Sequence, residues 1–235
     1  MERVELAVGD GSRMNAFVAE PAPAASPKAA IIVLQEAFGV NGHIRDVAQR
    51  FARLGLTAIA PELFHRTAPG FEGSYGDFEA VRPNLQALTL EGIRVDIAAA
   101  YEWLTDTARI APARIAAIGF CMGGRAVFTA NAALALAAAV SFYGGGIDED
   151  GRRGAASQHG PILMFWGGRD QHIPPEQRRA VADALSAAGK PHEQVVFSEA
   201  DHGFFCDQRP SYHPGAARQA WALTLEFLRV CDVLS

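Results

Sequence analysis

Short apolar runs that alternate with helix-period segments predict an α/β fold with a doubly wound, mostly parallel sheet and helices on both faces. Three observations carry this expectation. Runs such as Ala29-Ala30-Ile31-Ile32-Val33-Leu34 and Pro161-Ile162-Leu163-Met164-Phe165-Trp166 do not alternate, as befits strands buried on both faces of a parallel sheet. Helical patterns separate such runs. In mid-chain, one strand passes into one helix through a turn flanked by glycines, Gly119 to Gly123.

Taken in order, Val4 to Val8 alternates, Gly9-Asp10-Gly11 turns, and Met14 to Ala19 returns, which predicts an N-terminal antiparallel hairpin at the sheet edge. A proline- and alanine-rich stretch, Pro21 to Pro27, leads into the buried run at 29–34. A helical pattern from Ile44 to Leu54 is closed by Gly55, and Leu56 to Ala60 gives the next strand, ending at Pro61. The alternation of strands and helices resumes at 93–107, 115–120, 122–133, 138–143, 162–167, 175–188 and 192–197, and a helix over 215–230 closes the chain. Glu62 to Thr89 breaks the rhythm with Pro69, Gly70, Gly73, Gly76 and Pro83, and is expected to be an irregular insertion or a lid over the site.

Composition narrows the function classes. At 235 residues and 49% apolar content, residues 1–235 are expected to form a single domain around one core. The net charge is −5 and basic residues cluster only in pairs, such as Arg152-Arg153 and Arg178-Arg179, which argues against nucleic acid and anionic membranes as partners. No apolar stretch reaches the roughly 18 to 20 residues of a membrane span, and the first residues do not resemble a signal peptide. A cytoplasmic monomer or homodimer acting on a small molecule is expected. Cys121, Cys206 and Cys231 are widely spaced and odd in number, so no disulfide framework or metal site is suggested. Gly144-Gly145-Gly146 lacks dinucleotide-binding spacing, and no cofactor is expected. His43, His65, His159, His172, His192 and His213 show no ligand spacing and are expected at the surface or in loops.

The chemistry-bearing motif is Gly119-Phe120-Cys121-Met122-Gly123. Strand, tight turn and helix are the context of a nucleophile elbow, with cysteine where serine is usual. A buried structural cysteine would explain the same five residues alone. The rest of the chain favours the elbow. Asp170, in Gly167-Gly168-Arg169-Asp170, and His202, in Ala200-Asp201-His202-Gly203, each follow the carboxyl end of an expected strand, where open α/β sheets place their reactive groups. Nucleophile, acid and histidine also occur in the chain order of α/β-hydrolase triads. A free thiol near its reference value of about 8.5 is mostly protonated at neutral pH and needs a base. His202 would take the proton, Asp170 would orient the imidazole, and the helix start after Cys121 would favour thiolate. One oxyanion donor would be the backbone N–H of Met122, the other a group in the loop after Leu34.

That loop reads Gln35-Glu36-Ala37-Phe38-Gly39. Together with Pro61-Glu62-Leu63-Phe64, Gly119-Phe120-Cys121-Met122-Gly123-Gly124, Tyr143-Gly144, Gly167-Gly168-Arg169-Asp170 and Asp201-His202-Gly203-Phe204, it makes most of the chain resemble the dienelactone hydrolase, or carboxymethylenebutenolidase, family of α/β-hydrolases. The resemblance implies a triad of Cys121, His202 and Asp170, with Glu36 as an auxiliary carboxylate that helps to generate the thiolate as substrate enters. It also makes Ala37 N–H the second oxyanion donor. Lactonases of the family keep an arginine shortly after the catalytic histidine, to pair with a substrate carboxylate. Here Gly203-Phe204-Phe205-Cys206 occupies that stretch, Arg209 is the nearest candidate, and Arg82 has no motif around it.

Phe38, Tyr143 and Phe204 are expected as substrate contacts, with an uncharged or aromatic substrate favoured; Trp166 is most simply core, though near enough to the Asp170 loop to border the pocket. Cys206, beside Phe204 and Phe205, is expected to be buried and inert. Three functions compete. The first is a metal-independent cysteine hydrolase of esters or lactones working through an acyl-thioester. The second is promiscuous hydrolysis of activated aryl esters and phosphotriesters, and the third a non-catalytic binding or sensor module on the same fold.

Overall fold

A computed structural model describes residues 2–22, 29–147 and 154–234; the proline-rich stretch beyond Ala22 and the Arg152-Arg153 pair lie outside the described residues. The strands are β1 (Glu2–Ala7), β2 (Arg13–Ala19), β3 (Ala29–Leu34), β4 (Leu56–Pro61), β5 (Ile115–Phe120), β6 (Ala138–Phe142), β7 (Ile162–Gly167) and β8 (His192–Phe197). They form one sheet in the order β1-β2-β4-β3-β5-β6-β7-β8. The hairpin pairs antiparallel, with Leu6 opposite Met14, and β2 runs antiparallel to β4, with Val18 opposite Ile59. All later neighbours are parallel. Every residue of β3 through β7 is buried, which is why those runs carry no alternation. At the far edge β8 has one neighbour and exposes Val196.

From β3 the chain crosses to β4 on one side, whereas from β5 it progresses to β8 on the other. Right-handed crossovers therefore put the connecting helices on opposite faces. The reversal opens a crevice at the carboxyl ends of β3 and β5, the place where such sheets bind ligands. The helices are α1 (Gly42–Arg53), α2 (Phe78–Ala87), α3 (Leu90–Glu102), α4 (Met122–Ala133), α5 (Pro175–Ala187) and α6 (Pro214–Val230). Asn41 caps α1 by accepting from Ile44 N, and Ile44, Val47, Ala48 and Phe51 form the buried stripe.

The segment 62–89 differs from the expectation of irregular chain, because it contains α2. Asp77 caps that helix by accepting from Ala80 N at 3.1 Å. Pro83 inside the helix, which removes one backbone donor, hides the pattern from a reading of breakers. The segment is fastened to the β3 loop. Gly73 N donates to Phe38 O at 3.0 Å and Asn41 Nδ2 donates to the Tyr75 hydroxyl at 2.9 Å. Gly39 has φ 79°, and any side chain there would strike the Phe71 carbonyl.

Two histidines expected at the surface or in loops are buried. His43 is 1% exposed and His65 6%. His65 Nδ1 lies 3.1 Å from Arg13 O and Nε2 lies 3.0 Å from Asp96 Oδ1. Arg66 Nη2 and Nη1 donate to the same Asp96 carboxylate at 2.7 and 2.9 Å. Asp96 thus locks α3, the chain after β4 and the hairpin together in a site with no exposure of its own. Removing one partner of such a group leaves polar atoms buried and unmatched. Asp96→Ala should lower the unfolding free energy by about 3 kcal/mol, seen as a lower urea midpoint at unchanged m. A wild-type midpoint would refute the lock.

Candidate active site

Cys121 stands between β5 and α4 at φ 55° and ψ −118°, a left-handed conformation that a non-glycine residue holds only under constraint. Phe142 O accepts from its backbone N–H at 3.0 Å. A side chain on Gly119 would enter the Gly123 carbonyl, and one on Gly123 would enter the Leu34 carbonyl. Both glycines are therefore required for β5, α4 and the end of β3 to meet. Cys121 is half-buried, faces the cavity, and lies at the positive end of α4.

Asp170 and His202 converge on it from the carboxyl ends of β7 and β8. Asp170 Oδ1 accepts from His172 N–H at 2.8 Å, and Oδ2 lies 2.8 Å from His202 Nδ1. Burial pushes the Asp170 carboxyl up, but the hydrogen bonds from His202 and His172 outweigh it and hold the group below its ordinary value. Cys121 and His202 line the same cavity, and the sulfur acts on the charge of the ring. Burial draws the imidazole down, while the charge of a Cys121 thiolate and the Asp170 hydrogen bond carry it up to about 10.

Glu36, in the loop after β3, has no exposure. Its Oε1 accepts from Arg209 Nη1 at 3.1 Å and from the Tyr143 hydroxyl at 3.4 Å, and Oε2 has no partner among the described residues. Gln35 sets this loop, since its Oε1 accepts from Leu63 N at 3.0 Å. The Arg209 guanidinium lies 5.6 Å from both the Phe38 and the Tyr75 ring centroids. Gly203, at φ 78°, leaves the space that this guanidinium fills.

A cavity of about 620 Å³ opens over these groups. Cys121, His202, Ala37, Met122 and Arg209 line it, and Phe38, Phe78, Leu85, Leu88, Leu90 and Ile93 supply most of its hydrocarbon wall. Three expectations need correction. Tyr143 and Phe204, expected as substrate contacts, are wholly buried and stand outside the lining, with Phe204 packed edge-on against Tyr143 beneath it. Trp166 is core, as expected, and does not reach this cavity as its nearness to the Asp170 loop suggested; it donates Nε1–H to Gln194 at 2.9 Å. The cavity is not without a cation, because the chain between His202 and Arg209 folds back and returns Arg209 to Glu36. Arg82 instead is exposed and pairs with Glu79. Sequence spacing does not reveal this fold-back; an arginine in the loop after His202 was its one signal.

The profile of the Dienelactone hydrolase family matches residues 14–231. A Synechocystis sp. protein provisionally named carboxymethylenebutenolidase is 36% identical over 214 residues, covering 87% of each chain. The crystal structure of a provisionally named dienelactone hydrolase from Klebsiella pneumoniae superposes with a TM-score of 0.85 at 31% identity, covering 97% of this chain and 98% of the other. A dienelactone hydrolase-like promiscuous phosphotriesterase from metagenomic libraries shares the fold at 22% identity, with a TM-score of 0.78 and coverage of 99% and 98%.

The raised His202 value has a definite sign. A group lifted from 6.5 to about 10 on folding stabilises the protein fully below pH 6.5 and loses that contribution as pH rises through about 10. By NMR the His202 ring should titrate near the upper value, and Cys121→Ala, which removes the charge that raises it most, should bring the midpoint down and shrink the stability loss between those limits. An unmoved midpoint in that variant would mean that Cys121 carries no charge beside the ring.

Proposed function

The chain belongs to the dienelactone hydrolase family, and from that premise we propose that it hydrolyses esters or lactones with Cys121 as nucleophile, His202 as proton carrier and Asp170 as the group that orients His202. The observation that carries the reading is the strained elbow. It holds Cys121 in the lining of the cavity that His202 also lines, and Asp170 lies 2.8 Å from Nδ1 of that histidine. In the reaction so assigned, the thiolate attacks the carbonyl carbon and the carbonyl π electrons move to oxygen. The N–H groups of Ala37 and Met122 stabilise that oxyanion. The tetrahedral species collapses, the C–O bond breaks, and the His202 imidazolium gives its proton to the leaving oxygen. Water then attacks the acyl-thioester with neutral His202 accepting its proton, and the thiolate is regenerated.

Glu36 and Arg209 set the substrate class. Arg209 binds the carboxylate of Glu36 in the structure. A substrate carboxylate that takes over the guanidinium would release Glu36 to relay a thiol proton from Cys121 to His202, so that the thiolate–imidazolium pair is completed when the correct ligand is present. The hydrocarbon wall from α2 and α3 supports an apolar body on that ligand. A second reading, promiscuous attack on neutral phosphotriesters, rests on the same oxyanion donors and apolar wall, and suits the activity named for the metagenomic structural neighbour.

Wild-type protein should release a burst of p-nitrophenol from an activated ester, one equivalent per chain. Cys121→Ala should fall below a few per cent of the wild-type rate with the fold intact. A variant that keeps the rate removes the covalent mechanism, and binding without any burst makes the chain a binding module. For a matched carboxylated and neutral ester, Arg209→Met should lower kcat/KM of the carboxylated member about 10- to 100-fold, as loss of a charged hydrogen bond does, and leave the neutral one within a few-fold. Equal losses would place Arg209 in support of the scaffold.

A further inference from the structure

Beneath the active site, in the first turn of α1, His43 is 1% exposed, and neither ring nitrogen has a hydrogen-bond partner among the described residues. A neutral imidazole always offers one donor and one lone pair, and protein interiors rarely leave both unmatched. The rings of Phe120 and Phe205 flank it at 5.7 and 6.1 Å between centroids.

The two groups nearest in kind are Cys206 and Asp207. One ring nitrogen of His43, the Cys206 sulfur and a carboxylate oxygen of Asp207 all lie within 4.8 Å of one another. Imidazole, thiolate and carboxylate are the donors that zinc and its neighbours take, with bond lengths that set tetrahedral ligand atoms roughly 3.5 Å apart. Closing the difference needs about 1 Å of movement, which Asp207, on the exposed side of the cluster and 3.8 Å from Arg50 Nη2, would supply by leaving that ion pair for the metal. Burial and the charge of Glu36 keep the Cys206 thiol protonated in the absence of an ion, so the metal itself must displace that proton. The Tyr75 hydroxyl is 3.2 Å from Cys206 Sγ and accepts from Asn41 Nδ2 at 2.9 Å. Once the thiol proton has gone, the Tyr75 O–H can turn to donate to sulfur while its oxygen keeps Asn41, the outer-shell support that metal thiolates usually have.

We propose that His43, Cys206 and Asp207 form a binding site for a zinc-class divalent ion, with water completing the tetrahedron, that ties the start of α1 to the loop after His202. Binding forms the metal–sulfur bond as the Cys206 S–H bond breaks, and one proton leaves to solvent per ion. His43 and Asp207 enter without their protons. Tyr75 links the site to the segment 62–89, so a bound ion would also brace the wall of the cavity.

Cobalt(II) is the probe, and the Cys121→Ala protein is the host, because it removes the thiol of the active site. Titration should produce a near-ultraviolet sulfur-to-cobalt charge-transfer band that saturates at one ion per chain. Zinc should displace it, and calorimetry in buffers of different ionisation enthalpy should count about one proton released. Adding Cys206→Ser should abolish the band. Adding His43→Gln or Asp207→Asn should weaken binding at least tenfold each. Asp207→Asn, an exposed change, tests the site even where His43→Gln fails to fold. No band at millimolar cobalt, a band that survives Cys206→Ser, or unchanged affinity in Asp207→Asn overturns the site.

Discussion

The demand for a left-handed backbone at a residue that carries a reactive side chain governs the rest of this structure. Cys121 holds φ 55° because β5, α4 and the end of β3 press on it from three sides, and they can approach only where Gly119 and Gly123 lack side chains. The same closeness puts the β3 loop, with Glu36 and Ala37, beside the start of α4. Ala37, Met122 and Cys121 thereby share the lining of the cavity. The strain is carried by the central parallel strands, whose residues are all buried and whose packing leaves the turn no other conformation.

Charge is arranged around that turn in two pairs. His202 and Asp170 hold a proton near the sulfur, and Arg209 and Glu36 hold a second charge pair a loop away, with Tyr143 bonded to Glu36 beneath it. The first pair depends on burial being outweighed by partners, as the upward shift of His202 to about 10 displays. The second leaves one Glu36 oxygen buried and unmatched. A buried half-satisfied carboxylate is costly in a resting protein and useful where a ligand is to trigger its release.

Legibility in the sequence follows the range of the forces involved. Strands 29–34, 115–120 and 162–167 coincide with their sequence expectations, because burial on both faces writes itself into consecutive residues. The positions of Cys121, Asp170 and His202 at strand ends follow from the same local signals and from the family motifs. What was missed is non-local. The helix at 78–87 is hidden by Pro83 and held by contacts to the β3 loop, and the return of Arg209 to Glu36 depends on a turn whose purpose is visible only across 173 positions of sequence separation. His43 and Asp96 show the same limit. A polar residue on an apolar helix face announces nothing about its partners until another element arrives.

The cavity draws its reactive groups and its hydrocarbon wall from different parts of the chain. The chemistry sits at the ends of β3, β5, β7 and β8, in turns that admit almost no substitution, whereas Phe78, Leu85, Leu88, Leu90 and Ile93 belong to α2, α3 and the short link between them. That wall lies outside the sheet, and the chain entering α2 is held by Gly73, Tyr75 and the contact at Gly39. Side chains on it can be exchanged without disturbing the elbow, so the range of acids and alcohols this scaffold accepts is free to drift under selection while its reaction stays the same.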